Sequence, residues 1–409
     1  MSSYIQRSME PTLVEAAGIF PVVTLLGPRQ SGKTTLVRHV FPGHAYVNLE
    51  LPDDRVLATE DPRSFFARFP RPLIIDEVQR VPSLLSYIQV LVDEERGARG
   101  QFILTGSHQP ELRATISQSL AGRTGLLTLL PLSLRELAAT DRKLERDACL
   151  YNGFLPGIHE AELPPSRIYA AWYQTYVERD VRQLASIHNL IAFETFIRLL
   201  AGRVGQLVNL SDLASSTGTS STTLAHWLAV LEASYIVFRL PPWYENFGKR
   251  LVKTPKIYFT EPGLAAWLLG IRDPEQAGLN PALGGLFENL VVVEALKTFL
   301  NRGEEPALHF YRDSRGFEMD VLAGDLSGLV PIEIKASRTF SPDFCAALPA
   351  MRALNDRIAP GLLVYGGDRA HDFQGSAVVP FVDTAAALEK ALIAARSAAP
   401  SSSRNLAAD

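Results

Sequence analysis

The sequence predicts an α/β protein built from three consecutive units: residues 1–140, residues 141–260 and residues 261–395, followed by a polar tail over 396–409. Three observations carry that prediction. A chain of 409 residues is longer than one hydrophobic core comfortably serves. Its first unit opens with an apolar strand, a short polar loop and a helix, the start of a strand–helix alternation. Its last unit contains two strands of alternating polarity joined by turn residues, the pattern of an antiparallel hairpin.

Composition narrows what these units do. The chain is 47% hydrophobic and 21% charged, with a formal net charge of -4. That balance excludes a nucleic-acid coat protein and an acidic solvating chain, so any nucleic-acid contact must be local. Cys149 and Cys345 fit no metal spacing and read as small buried apolar residues in a reducing compartment, although a pair also permits a bridge. The first twenty residues hold Arg7, Glu10 and Glu15 without the apolar run of a signal peptide. No stretch of about 18 apolar residues occurs, so a cytoplasmic protein without membrane contact is expected. The closing "RSAAPSSSRNLAAD" is small and polar and is expected to be disordered.

In the first unit, "VVTLLGPRQSGKTTLVRHVF" matches G-x-x-x-x-G-K-[ST]. Glycines let such a loop curl so that its N–H groups converge on an anion, and the helix N-terminus adds partial positive charge. Gly27, Pro28, Arg29, Gln30, Ser31 and Gly32, with Lys33, Thr34 and Thr35 opening the helix, are the expected nucleotide cradle. Lys33 reaches the β- and γ-phosphates in this reading, and Thr34 helps hold Mg²⁺. The apolar strand of "RPLIIDEVQRVP" ends in Asp76, a second magnesium anchor, and Glu77, placed to activate the attacking water. A third strand, "QFILTGS", ends in Thr105 and Ser107, which either sense the γ-phosphate or cap the next turn. Arg123 in "SLAGRTG" is either an arginine finger, in its own subunit or a neighbour's, or an ordinary surface arginine. These features predict a P-loop NTPase domain using ATP and Mg²⁺.

In the middle unit, "IYAAWYQTYVERDVRQLASI" has helical spacing, with Arg179 and Asp180 on its polar side as an expected packing pair. "LSDLASSTG" and "SSTTLAHWLAVLEAS", with a turn at Gly218 and an extended segment after them, predict a winged helix. The second helix carries His226 but no Lys or Arg. Residues 235–260 hold Arg239, Lys249, Arg250, Lys253 and Lys256 against Glu245, five positive charges and one negative, hence a local +4. The wing is therefore the expected DNA contact, a domain-docking module being the alternative.

The last unit reads as a helix, "GGLFENLVVVEALKTFL", three strands, a helix near 342–356 and two further strands. Period-two alternation puts Glu318 and Asp320 on one face of their strand and Met319 and Val321 on the other. In "VPIEIKAS", Glu333 and Lys335 share a face. Hairpin pairing brings Asp320, Glu333 and Lys335 together, and Glu288 projects from the helix towards them. Two carboxylates with a lysine suit a second Mg²⁺ or Mn²⁺ beside a phosphodiester, the arrangement of a PD-(D/E)XK nuclease core. An ion-paired amphipathic hairpin accounts for the same residues.

The stretches "GPRQSGKTTL", "IIDEVQRVP", "SLAGRTG", "NGFLPGI", "LPPWYENFGKRLVKTPKIYF", "GLFENLVV" and "IEIKAS" together resemble a family of prokaryotic AAA-type P-loop ATPases. That family carries a C-terminal domain of unknown function with a PD-(D/E)XK nuclease-like core. The resemblance implies an ATP site at Lys33, Thr34, Asp76 and Glu77, and nuclease-like positions at Glu288, Asp320, Glu333 and Lys335. The expected activity is ATP hydrolysis coupled to a DNA-binding or DNA-processing domain. The alternative is an ATP-dependent switch or sensor whose last domain binds without cleaving. Expected partners are DNA and, for Arg123 acting in trans, a second copy of the chain.

Overall fold

The computed structural model describes residues 4–95, 97–107, 115–116, 118–176, 187, 189–243, 254–325 and 327–398. Among these, strands β1 (Val22–Gly27), β2 (Ala45–Asn48), β3 (Leu73–Asp76), β4 (Phe102–Ser107) and β5 (Thr124–Thr128) form one sheet in the order β2-β3-β4-β1-β5. Every pairing in it is parallel. Parallel strands are covered on both faces, and β1, β3 and β4 are buried along their whole length. Val22 and Leu26 of β1 face one apolar cluster with Leu84, Leu85 and Ile88. Val23 and Leu25 face the other, with Met9, Leu13, Leu36 and Val37. Because β4 lies between β1 and β3, its C-terminal end stands between the glycine-rich loop and the acid pair. Topology thus brings three separate stretches of sequence to one edge.

The middle of the chain is helical. Three caps define its turn: Asn209 Oδ1 accepts from Ser211 N (3.0 Å), Gly218 ends the helix Leu210–Thr217 at φ +64°, and Ser220 Oγ accepts from Thr223 N (3.1 Å) to start Ser221–Ala233. An antiparallel pair follows, β6 (Val237–Leu240) and β7 (Lys256–Phe259). Arg179 and Asp180 lie outside the described residues.

The last sheet contains β8 (Leu308–Arg312), β9 (Glu318–Asp325), β10 (Gly328–Lys335), β11 (Leu362–Tyr365), β12 (His371–Phe373) and β13 (Ser376–Pro380). Their order is β12-β13-β11-β10-β9-β8. The β9–β10 hairpin is antiparallel as expected, while β10, β11 and β13 run parallel. On one face the helices Leu283–Leu300 and Thr384–Ala398 bury Leu290 and Leu388 against Ile332 and Val364. On the other, the helix Ala347–Arg352 places Leu348 and Met351 against Leu329 and Leu363.

Three details depart from expectation. Strand β12 and the helix Thr384–Ala398 were not foreseen, and the helix takes in Arg396 and its two successors, assigned above to a disordered tail. Residues 399–409 lie outside the described set. Met319 and Val321 do not share a face: Met319 packs with Leu322 and Val321 with Ile332. The reason is a register shift between β8 and β9, where Asp320 and Val321 together stand opposite Phe310, as in a β-bulge.

A single apolar cluster runs from Ile5 through Leu130, Phe196 and Leu231 to Leu392, so the middle and last units share a core. Both cysteines are free and buried. No described helix is long and apolar enough to cross a membrane.

Candidate nucleotide site and acidic cluster

Glycine is required where the loop leaves β1. A Cβ on Gly27 would lie 2.1 Å from the Leu129 carbonyl oxygen. Gln30 (φ +61°) and Gly32 (φ +92°) flank Ser31 with left-handed backbone, an alternation that turns successive N–H groups into one concavity. Ser31 is fully buried and its hydroxyl has no hydrogen-bond partner among the described residues. The Lys33 ammonium folds back on the loop, donating to Gly27 O (3.1 Å) and Pro28 O (2.8 Å). Burial pushes its pKa down to about 8, with Glu77 and then Asp76 opposing the shift. A concavity of N–H groups, a spare buried hydroxyl and a lysine held only by carbonyls fit a polyphosphate.

The acid pair stands beside this cradle. Asp76, 2% exposed, accepts at Oδ2 from Thr34 Oγ1 (2.9 Å) and Tyr46 Oη (2.9 Å), and at Oδ1 from Thr105 Oγ1. Glu77 adopts a left-handed conformation (φ +58°), rare for a residue with a side chain. Its carboxylate accepts from Gln79 Nε2 and from Ser107 Oγ (3.5 Å), and its N–H points at Thr105 Oγ1 (3.4 Å). Thr105 and Ser107 therefore hold the acid pair. Thr34 and Asp76 supply adjacent hard oxygens, the donor type Mg²⁺ takes while keeping most of its waters.

Arg7, which the sequence offered no reason to select, supports the loop from behind. Its guanidinium donates to Ser31 O (2.7 Å), Leu130 O (2.7 Å) and Glu136 (3.1 Å), and it is 4% exposed. Trp172 Nε1 donates to Arg29 O (3.2 Å). Tyr46 and Gln79 were missed as well. Arg7, Tyr46 and Trp172 lie outside the motifs and meet the site only through the fold, whereas Gln79 lies two residues beyond Glu77 in "IIDEVQRVP".

Arg123 does not belong to this site in its own subunit. Its carbonyl accepts from Val22 N at the start of β1, about 17 Å of strand away from the loop. Its guanidinium is held by both carboxylate oxygens of Asp93, at 2.7 and 2.8 Å.

The four acidic and basic positions of the last unit gather where β9 and β10 separate. Asp320 Oδ2 accepts from Ile334 N (2.8 Å), and Lys335 Nζ donates to Glu333 Oε1 (2.5 Å). Glu288 Oε1 accepts from Tyr258 Oη (2.5 Å). Burial, reinforced by the Asp320 charge, raises the Glu288 and Glu333 carboxyls to about 7. Burial also raises Asp320, and the charge of Lys256 and then Lys335 opposes it.

Lys256, expected to touch DNA, is instead inside this cluster. It is 3% exposed, with its ammonium 3.0 Å from Glu288 Oε1 and 2.7 Å from Glu318 Oε1. The pairing of β6 with β7 turns it inward, so its charge does not contribute to a surface patch. Arg239 is paired with Glu232. Lys249, Arg250 and Lys253 lie outside the described residues. Among the described residues no three His, Cys, Asp or Glu side chains converge closely enough to hold a metal ion. With the Lys256 ammonium held against Glu288 and Glu318, the cluster as arranged does not fit the second Mg²⁺ or Mn²⁺.

Comparison with known proteins bears on the domains. The model of an AAA domain matches residues 20–138, and two domains of unknown function match residues 144–275 (DUF8612) and 283–383 (DUF4143). The uncharacterized protein Rv2008c of Mycobacterium tuberculosis is 34% identical over 355 residues, 85% of this chain and 77% of its own length. This chain belongs to the family of that protein. An uncharacterized protein of Haemophilus influenzae is 26% identical over 249 residues, covering 54% of this chain and 60% of its own. Among solved structures, the Walker-type ATPase PABY2304 of Pyrococcus abyssi aligns with 65% of this chain and 96% of its own, at 15% identity and a TM-score of 0.42. The parallel sheet and its loop thus lie within the stretch that matches an AAA domain, with the fold of a P-loop NTPase.

Proposed function

We propose that this chain is a Mg²⁺-dependent ATPase whose nucleotide state acts on a winged-helix module and a nuclease-like module engaged with DNA in the cytoplasm. One observation carries the enzymatic part: Lys33, Thr34, Asp76, Glu77 and Thr105 converge at one sheet edge from three strands. Lys33 exchanges its loop carbonyls for phosphate oxygens, and its charge offsets the charge developing on the transferred group. Mg²⁺, held through Thr34 and Asp76, supplies charge neutralisation at the phosphates. Glu77 orients the attacking water and takes its proton, with Ser107 and Gln79 fixing the carboxylate. Purified protein is expected to hydrolyse ATP with Mg²⁺, and Lys33→Ala to lose turnover while keeping its circular dichroism spectrum. Undiminished turnover in Lys33→Ala refutes the reading.

The capped helix pair followed by β6 and β7 supports the winged-helix assignment, and the helix, hairpin and parallel strands supporting Asp320 and Glu333 suit a PD-(D/E)XK-like core. Lys256 favours a second reading of that core, as a module that binds DNA or a partner without cutting it. Incubation with Mg²⁺ or Mn²⁺ and single-stranded, duplex or branched DNA separates the two. Cleavage abolished by Asp320→Ala supports the nuclease; DNA-stimulated ATP hydrolysis without cleavage supports the switch. A role for Arg123 in a neighbouring copy requires a homo-oligomer, which sedimentation with ATP would reveal.

A further inference from the structure

The acidic cluster contains Glu288, Glu318, Asp320 and Glu333, drawn from a helix and two strands. Lys335 approaches Glu333 from within the same sheet. Lys256 comes from elsewhere, from β7 of the two-stranded sheet, and reaches Glu288 and Glu318 at once. Its stem crosses Phe310, with the ammonium 5.6 Å from the ring centroid. Neighbouring residues fix it there: Tyr258 bonds Glu288, and the Asn289 side chain takes both backbone groups of Phe259, accepting from its N–H (2.7 Å) and donating to its carbonyl (2.9 Å). "KTPKIYF" and "GLFENLVV", two stretches by which the chain resembles its family, thus meet face to face. A buried lysine is costly unless its charge is paired, and here the pairing is complete enough that its pKa is raised in spite of burial.

We propose that the Lys256 ammonium is a built-in counter-cation that takes the place of a divalent metal ion in this cluster. It supplies positive charge between carboxylates from two elements, the task a metal performs in a PD-(D/E)XK site. Seated on β7, the ammonium offsets the charge of Glu288 and Glu318 from within the chain itself. The inference rests on the nuclease-like reading of the cluster, and the two fail differently.

The test is Mn²⁺ binding, measured by calorimetry and by the shift of the thermal midpoint, on the full chain treated with chelator and without nucleotide. Asp76→Asn serves as the background, so that the metal position of the ATP site does not mask the second one. Lys256→Met in that background is expected to bind Mn²⁺ at least tenfold more tightly than its parent and to regain thermal stability on adding it. Lys256→Arg, which keeps the charge, is expected to behave as the parent. If Lys256→Met does not fold, the double substitution Lys256→Gln with Glu318→Gln removes one charge of each sign and leaves Glu288, Asp320 and Glu333. Equal Mn²⁺ affinity with and without Lys256 overturns the counter-cation while leaving the metal-binding ancestry intact. Absence of Mn²⁺ binding in every folded variant overturns both.

Discussion

Replacing Arg7 with methionine removes a buried fork that touches three acceptors at once. Its partner Glu136 has a side chain only 1% exposed, and afterwards that carboxylate keeps just two backbone donors, Ser8 N at 2.6 Å and Ser133 N at 2.8 Å. Breaking a buried pair from one side costs roughly 3–5 kcal/mol, because the remaining charge has no counter-charge. The Ser31 and Leu130 carbonyls lose a donor as well, each a penalty of about 1–3 kcal/mol where water does not replace it. Water entering the space left by the guanidinium recovers part of this, so a net loss of about 4 kcal/mol is expected. Arg7→Lys should recover only part of it, since one ammonium does not span three acceptors pointing in different directions. Urea unfolding followed by circular dichroism measures the loss. The doubly substituted Arg7→Met, Glu136→Met should be more stable than Glu136 left alone, with a coupling of about 2 kcal/mol or more. Titration of a nonhydrolysable ATP analogue reports on the loop, whose Ser31 turn Arg7 anchors; a loss of about tenfold or more in affinity is expected. Stability within about 0.5 kcal/mol of wild type would refute the buried-pair account. Lost stability with unchanged nucleotide affinity would refute the account of the loop.

Three further outcomes are expected. Thr105→Val removes the hydroxyl that fixes Asp76 Oδ1, and steady-state ATP turnover should fall roughly 10- to 100-fold, as for other outer-shell partners of metal ligands; unchanged turnover would show that β4 contributes only packing. Gly153→Ala places a Cβ 1.9 Å from Tyr169 Oη and 2.0 Å from Glu261 Oε1 in a backbone conformation (φ +62°, ψ -153°) that glycine alone adopts readily; about 3 kcal/mol or more should be lost in chemical denaturation, and near-wild-type stability would contradict the packing described. The Glu333 carboxyl, raised by burial from 4.5 to about 7, binds more protons in the folded than in the unfolded state between those values, so its contribution is present below the unfolded pKa and lost as pH rises through the folded one. The thermal midpoint should therefore fall less in Glu333→Gln than in wild type between about pH 5 and pH 8, and equal falls would remove the assignment.

What was legible in the sequence is what local chemistry enforces. The glycines of the loop, the acid pair ending a short strand and the turn between β9 and β10 each follow from neighbours a few residues away. The sidedness of β10 was legible for the same reason. Residues placed by distant packing were not. Lys256 sits in a run of basic residues that reads as a surface patch, and only the pairing of β6 with β7 against the helix Leu283–Leu300 turns it inward. The bulge at Asp320 and Val321 leaves no local mark, since both strands keep an alternating pattern up to it. The helix Thr384–Ala398 was obscured by small residues that suit a helix and a loose tail alike, and its Leu388 and Leu392 settle the matter only once a sheet is there to receive them.

The buried charges of this chain lie in an order that packing alone does not require. Ser31 of the loop is held by Arg7, Arg7 by Glu136, and Glu136 caps the helix Leu134–Ala138 together with Ser133. The next residue, Leu134, donates its N–H to Glu294 (2.9 Å), and Glu294 pairs with Lys297, which returns to Leu132 O (2.7 Å). Both lie on the helix Leu283–Leu300, whose Glu288, about 9 Å further along the axis, enters the acidic cluster. Apolar side chains at these positions would pack as well or better, because burying ionised groups is costly even when they are paired. What charges add is register: an apolar surface tolerates sliding by a fraction of a turn, whereas Glu294 and Lys297 slipped together by that distance would leave Leu134 N and Leu132 O without their partners. The helix is thereby fixed in one position with respect to the nucleotide loop at one end and to Lys256 at the other. A displacement of the loop large enough to break the Arg7 contacts must either break this chain of bonds or carry the helix with it.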